Sequence, residues 1–157
     1  MLKPMSSASV ARESSSRTGL RRLVRGKPAD VAPAPPAGPC NALTIDVEDY
    51  FQVQAFDGQV RRDDWETLEW RFVANTNHIL DMLAQENIKA TFFTLGWIAQ
   101  RAKPLIRRMA DEGHEVASHG MAHFRADEQT PEAFRRDISE AKAILEDAGG
   151  MAVTGYR

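Results

Sequence analysis

His119 and His123 stand four residues apart in the run Ser118-His119-Gly120-Met121-Ala122-His123. Two imidazoles at that spacing face the same way on a helical turn. They suit two adjacent positions on one divalent ion, with His N–metal distances of ~2.0–2.1 Å. Gly120 and Ala122 leave room for both rings to turn inward. The pattern is not the HExxH of zinc proteases, because the residue after the first His is Gly120. Two solvated loop histidines are the plain alternative. A second cluster, Asp46-Val47-Glu48-Asp49, closes the apolar run Ala42 to Ile45. In extended chain Asp46 and Glu48 lean to one side. One such carboxylate could hold a metal while the other serves as a base. An ordinary acidic turn is the alternative there. At the far end, the guanidinium of Arg157 in Gly155-Tyr156-Arg157 could orient a carboxylate bidentately.

These clusters need elements to position them. Ala42 to Ile45 reads as a buried strand that ends at a site. Tyr50 to Trp70 is aromatic and charged without a period, and reads as a loop. Phe72, Thr76, Ile79, Leu80 and Leu83 form one face of a helix, closed at Asn87. Ala90 to Leu95 is a second strand, rich in aromatic and β-branched residues. Ile98, Ala102, Leu105, Ile106 and Met109 give another helical face, divided near Pro104 and stopped by Gly113. Glu115 to Ser118 is a third strand leading into His119. A helix starts at Thr130-Pro131, buries Phe134, Ile138, Ala141, Leu145 and Ala148, and ends at Gly149-Gly150. Met151 to Tyr156 reads as a fourth strand. Strands alternating with helices predict parallel βαβ units, whose sites lie at the carboxyl ends of the strands. His114 precedes its strand and is assigned a structural role, His78 needs no function, and Met82, Met109 and Met151 fit as core filler. The arginines from Arg101 to Arg108 read as a solvated helix face.

Charge and composition narrow the class of protein. Residues 1–39 hold a Ser-rich stretch followed by Pro28 to Pro39, and read as a disordered basic tail ahead of one domain over 40–157. Residues 1–40 carry seven Lys/Arg against Glu13 and Asp30, which leaves 13 basic and 20 acidic side chains in the rest. An acidic body argues against nucleic acid as the partner. One cysteine, Cys40, allows no internal disulfide. No apolar run approaches the ~20 residues of a membrane span, and no apolar signal-peptide core is visible at the N-terminus. The chain is therefore expected to be cytoplasmic.

With these residues placed, residues 41–157 resemble the NodB-type polysaccharide deacetylases, carbohydrate esterase family 4. The similarity is strongest to the exosortase-associated branch that opens on DVEDYFQV, here Asp46 to Val53. Further matches are Lys89-Ala90-Thr91-Phe92-Phe93, Gly113 to Gly120 and Gly155-Tyr156-Arg157. The resemblance implies the N-terminal portion of a deformed (β/α) barrel. It implies removal of N-acetyl groups from an amino-sugar polysaccharide with one divalent ion, usually zinc. Asp46 inherits the role of base. The next acid of the family's TFDDG motif falls on Val47, so the metal carboxylate passes to Glu48, with Asp49 in reserve. His119 and His123 take the histidine ligand positions, with Gly120 in place of Ser/Thr, and Arg157 the brace on the catalytic Asp. A (β/α)₈ barrel typically takes ~250 residues. The later strands that supply the acetyl pocket and a general-acid histidine would follow Arg157. The chain is thus expected to be a C-terminally truncated member with weak or no activity of its own. The rival readings are a non-catalytic metal- or glycan-binding remnant and a small-amide hydrolase of the same fold.

Overall fold

A computed structural model describes residues 41–157. The tail expected over 1–39 lies outside the described residues. In chain order the elements are β1 (Thr44–Val47), α1 (Phe72–Gln85), β2 (Thr91–Thr94), α2 (Gly96–Arg101), α3 (Lys103–Asp111), β3 (Glu115–Ser118) and α4 (Pro131–Gly149), with short 3-10 turns at Gln54–Phe56, Arg62–Thr67 and Ala126–Glu128. The three strands form one parallel sheet in the order β1-β2-β3. Among the described residues no helix is long and apolar enough to cross a membrane.

The sheet has two unlike faces. Its cross-strand rows are Ile45–Phe92–Val116 and Val47–Thr94–Ser118 on one side, and Thr44–Thr91–Glu115 and Asp46–Phe93–Ala117 on the other. The first side turns to the helices and is buried around Phe92 and Val116, where Leu80, Leu95, Ile98, Ile106, Met109 and Leu145 are also fully enclosed. Each such side chain contributes about 1.5–3 kcal/mol by leaving water. The second side is more open, with Asp46 exposed and Phe93 half-buried. The strand alternation thus separates core from site.

Local signals account for several boundaries. Thr130 Oγ1 accepts a hydrogen bond from Ala133 N at 3.2 Å and Pro131 opens α4, while Gly150 ends it at φ 67°. Pro104 sits in the first turn of α3, and the break from α2 falls at Ala102 (φ −130°, ψ 47°). Asn87 leaves α1 in the left-handed region at φ 52°.

Three expectations are corrected. Met151 to Tyr156 is not a full strand: it meets the sheet through one parallel bridge, Ser118 with Tyr156. Met82 is 53% exposed rather than core filler, because it falls off the buried face formed by Phe72, Thr76, Leu80 and Leu83. The segment 50–70 is more than a loop. It holds two 3-10 turns, the second of which carries Trp65 into the core, and Phe51 ahead of the first is buried as well. There they join Trp70, Phe72 and Trp97 in tilted and edge-to-face contacts with centroids 5.5–6.3 Å apart. Aromatic anchors of this kind need no 3.6-residue period.

His114 is structural, as assigned from its place before β3. It is buried against Phe92, with ring centroids 5.1 Å apart, and its Nδ1 accepts the Ala90 N–H at 3.2 Å. Burial, and then the nearby Lys89 charge, hold its pKa below the usual 6.5, against the opposing pull of Glu112. The unfolded chain therefore takes up a proton more readily than the native one, and stability falls as pH drops below 6.5. Urea titrations at pH 7.5 and 5.5 should show a loss of midpoint in the wild type that shrinks in His114→Gln. An unchanged difference would remove His114 as its source.

Candidate metal centre

The carboxyl end of β1 sorts its residues by alternation. Val47 and Asp49 are 2% and 4% exposed, whereas Glu48 is half-buried and Asp46 exposed on the opposite side. Asp49 is thereby removed from the reserve ligand role. Its Oδ2 accepts the N–H groups of Arg71 (2.6 Å) and Phe72 (2.9 Å), and its Oδ1 that of Tyr50 (2.8 Å). It caps α1 from 22 residues upstream. A carboxylate at a helix N-terminus satisfies amides that have no intrahelical partner. Asp49→Ala should cost ~2–4 kcal/mol, from the lost cap and the stranded amides. Asp49→Asn should recover part of that in urea unfolding, because it keeps an acceptor oxygen. A neutral Asp49→Ala would contradict the capping role.

β3 delivers the histidines. His119 N continues the sheet by donating to Thr94 O at 3.0 Å. The chain then bends rather than coiling: Gly120 and His123 both lie in the left-handed region, at φ 76° and 56°. The expected helical turn is absent, and two left-handed residues bring the rings together instead. A Cβ on Gly120 would also meet Asp137 Oδ2 at 2.9 Å. That carboxylate accepts the Met121 N–H at 3.0 Å, and burial raises its pKa. Gly120 O and Met121 O accept the first amides of α2, from Gly96 and Trp97, both at 2.9 Å. Arg62 donates to Ala122 O (3.1 Å) and His123 O (3.3 Å).

The predicted residues converge. One ligand atom from each of Glu48, His119 and His123 lies within 4.8 Å of the other two. The imidazoles sit edge to face with centroids 5.0 Å apart. His119 Nδ1 lies 2.8 Å from the main-chain oxygen of Arg157. With the proton on Nδ1 facing that oxygen, Nε2 is left as the free donor atom, the usual arrangement of a ligating histidine. Glu48 Oε2 is buried without a hydrogen-bond partner, although His123 Nε2 is 3.1 Å away. The two atoms meet at charge-pair distance without hydrogen-bond alignment. Two imidazole nitrogens and an unsatisfied carboxylate oxygen fit a small divalent ion.

Arg157 reaches Asp46 through one contact, Nη1 to Oδ1 at 2.8 Å, while Nη1 and Nη2 also approach Thr44 Oγ1 at 3.3 and 3.4 Å. The guanidinium lies 4.9 Å from the centroid of the Phe93 ring. The expected two-toothed grip on Asp46 is single, because Thr44 shares the guanidinium. Arg62, Asp137 and Thr44 were not picked out from the sequence. Arg62 and Asp137 lie 61 and 16 residues from the loop atoms they hold, and no local spacing marks them.

Carboxylates and imidazoles gathered at the carboxyl ends of parallel strands define a parallel α/β scaffold with a candidate metal centre. The chain belongs to the polysaccharide deacetylase family, whose model matches residues 57–157. That match takes in both histidines and Arg157 and begins after Asp46 and Glu48. A peptidoglycan-N-acetylglucosamine deacetylase of Bacillus cereus is 36% identical over 90 residues, covering 57% of this chain and 31% of that protein. A chitooligosaccharide deacetylase of Rhizobium leguminosarum bv. trifolii is 41% identical over 83 residues, covering 52% and 39%. The chain thus spans about a third of the length of these curated relatives. Among solved structures, the peptidoglycan deacetylase PdaC from Bacillus subtilis aligns with a TM-score of 0.57 at 28% identity, over 74% of this chain and 46% of that one. A CE4 family pseudoenzyme from Bacillus anthracis shares the fold, with a TM-score of 0.56 at 19% identity over 73% of this chain and 33% of that one. The parallel α/β architecture expected from the sequence is the one these deacetylase structures have.

Proposed function

We propose that the Glu48–His119–His123 cluster holds one divalent ion, and that with Asp46 it forms the hydrolytic centre of an amino-sugar N-deacetylase. The observation that carries this reading is the gathering of the three ligand atoms within 4.8 Å, beside the Asp46–Arg157 pair. The two-nitrogen, one-oxygen donor set favours zinc. When bound, such an ion supplies a Lewis acid for the acetamide oxygen and for water. Asp46 accepts the proton of the attacking water. Arg157, whose guanidinium is shared with Thr44 Oγ1, holds that carboxylate, so the base is aimed before substrate arrives. His119 is held in one tautomer by the main-chain oxygen of Arg157. Hydrolysis of the amide breaks the C–N bond and yields acetate and a free amine.

The substrate in this reading is an acetylated polysaccharide, an exopolysaccharide in particular. The named activities of the relatives support an amino sugar, and Asp46 to Val53 supports the exosortase-associated branch. The test is acetate release from chitooligosaccharide and from an acetylated exopolysaccharide with added zinc or cobalt, alongside metal titration. Metal binding without turnover would favour the non-catalytic reading for this chain, and turnover confined to small amides would favour the small-amide hydrolase. Absence of metal binding would sink the centre itself.

A further inference from the structure

We propose that Arg62 is a positioning residue that sets the backbone of His123 and so aims its ring at the metal centre. The proposal rests on the reading of Glu48, His119 and His123 as metal ligands. His123 adopts φ 56°, a conformation L side chains rarely take, and Asn87 is the other non-glycine residue with positive φ among those described. Asn87 ends a helix, where such a conformation is common. His123 does not, so something else must hold it. Arg62 Nε donates to Ala122 O at 3.1 Å and Arg62 Nη2 to His123 O at 3.3 Å. Those two carbonyls flank the His123 Cα, and their carbon atoms define its φ torsion. Gripping both oxygens from one rigid guanidinium therefore fixes the rotation of the peptide planes on either side of the ligand. A planar fork does this, whereas a single ammonium cannot span both acceptors in fixed geometry.

Arg62 is itself well placed. Its guanidinium lies 4.3 Å from the Phe124 ring centroid and 5.9 Å from that of Trp65, and Nη1 pairs with Asp57 at 3.5 Å. It opens the 3-10 turn that buries Trp65. The aromatic segment 50–70 thus reaches the site through one side chain, although it supplies none of the three candidate ligands.

The test is cobalt(II) titration of the full chain, read by visible ligand-field absorption, with zinc affinity by competition. Arg62→Ala should weaken metal binding about 10–100-fold, as loss of an outer-shell partner does, and should alter the cobalt bands. Arg62→Lys should stay weaker than wild type. Arg61→Ala should bind as wild type, since that exposed side chain pairs with Asp63. In a His123→Ala background, measured at higher cobalt, Arg62→Ala should have no further effect. Wild-type affinity and bands in Arg62→Ala would overturn the proposal. So would an equal loss in both backgrounds, which would mean that Arg62 acts through the fold. Full rescue by lysine would overturn the fork argument. If Arg62→Ala does not fold, the lysine variant carries the comparison, and a wild-type spectrum from it again overturns the proposal. A wild-type chain that binds no cobalt would instead bring down the metal centre, a separate failure.

Discussion

His123→Ala is expected to lower metal affinity by more than the about 10–100-fold that accompanies loss of an outer-shell partner, and to abolish any deacetylation. The reason is the small donor set. Glu48, His119 and His123 form the cluster able to gather on one ion among the described residues. Removing one leaves two donors, one short of the three protein ligands that hold a catalytic ion beside its open, water-bearing position. His119→Ala should do the same, but the two are not equivalent in the metal-free protein. His119 is anchored at 2.8 Å to the main-chain oxygen of Arg157, whereas the conformation of His123 is held through Arg62. Isothermal titration with zinc, checked against melting of the metal-free variants, reads both. Retention of wild-type affinity by either variant would show that the ion, if bound, sits elsewhere.

Asp46→Asn should separate binding from chemistry. Asparagine keeps the shape and can still face Arg157, yet it cannot take a proton. Turnover in any preparation that shows wild-type activity should fall about 10²–10⁴-fold, the range for loss of a positioned base, while zinc affinity stays near wild type. Asp46 lies on the same side of β1 as Glu48 and is tied to Arg157 at 2.8 Å, so it is held beside the cluster but is not part of it. A parallel loss of metal affinity would make Asp46 a ligand and would reassign the base. Unchanged turnover would remove it from the reaction altogether.

Much of this arrangement was legible because its signals are local. Thr130-Pro131 and Gly150 mark the ends of α4 within a few residues. The apolar runs before Asp46 and His119 mark the first and third strands, although β1 is Thr44–Val47 rather than the buried run 42–45, and Leu43 and Thr44 are exposed. Spacing within each motif and the rule that sites sit at strand ends mark Asp46, Glu48, His119 and His123 as candidates, and the family resemblance is what assigns Glu48 and the two histidines to the metal. What escaped depends on distance along the chain. Asp49 looked like a spare ligand, and its true partners are amides 22 and 23 residues away. Arg62 is 61 residues from His123. The histidine motif was read as a helical turn because four-residue spacing suits one. Left-handed residues at 120 and 123 produce the same convergence, and nothing in the residue types other than Gly120 announces them. The aromatic segment 50–70 hid its order because 3-10 turns leave no period to detect.

The alternation along Asp46 to Asp49 also bears on which genetic changes this protein can absorb. A substitution in that stretch disturbs one side chain. A single-codon deletion or insertion after Ile45 would turn every following residue to the opposite face. Glu48 would then be driven into the helix-packed interior, while the cap of α1 would swing out to solvent. One event would remove ligand and cap together. Length variation among relatives should therefore be absent between 44 and 49 and gather instead in the exposed stretch Gln54 to Gln59. Anyone transplanting this centre into another scaffold should move the tetrad as an indivisible block.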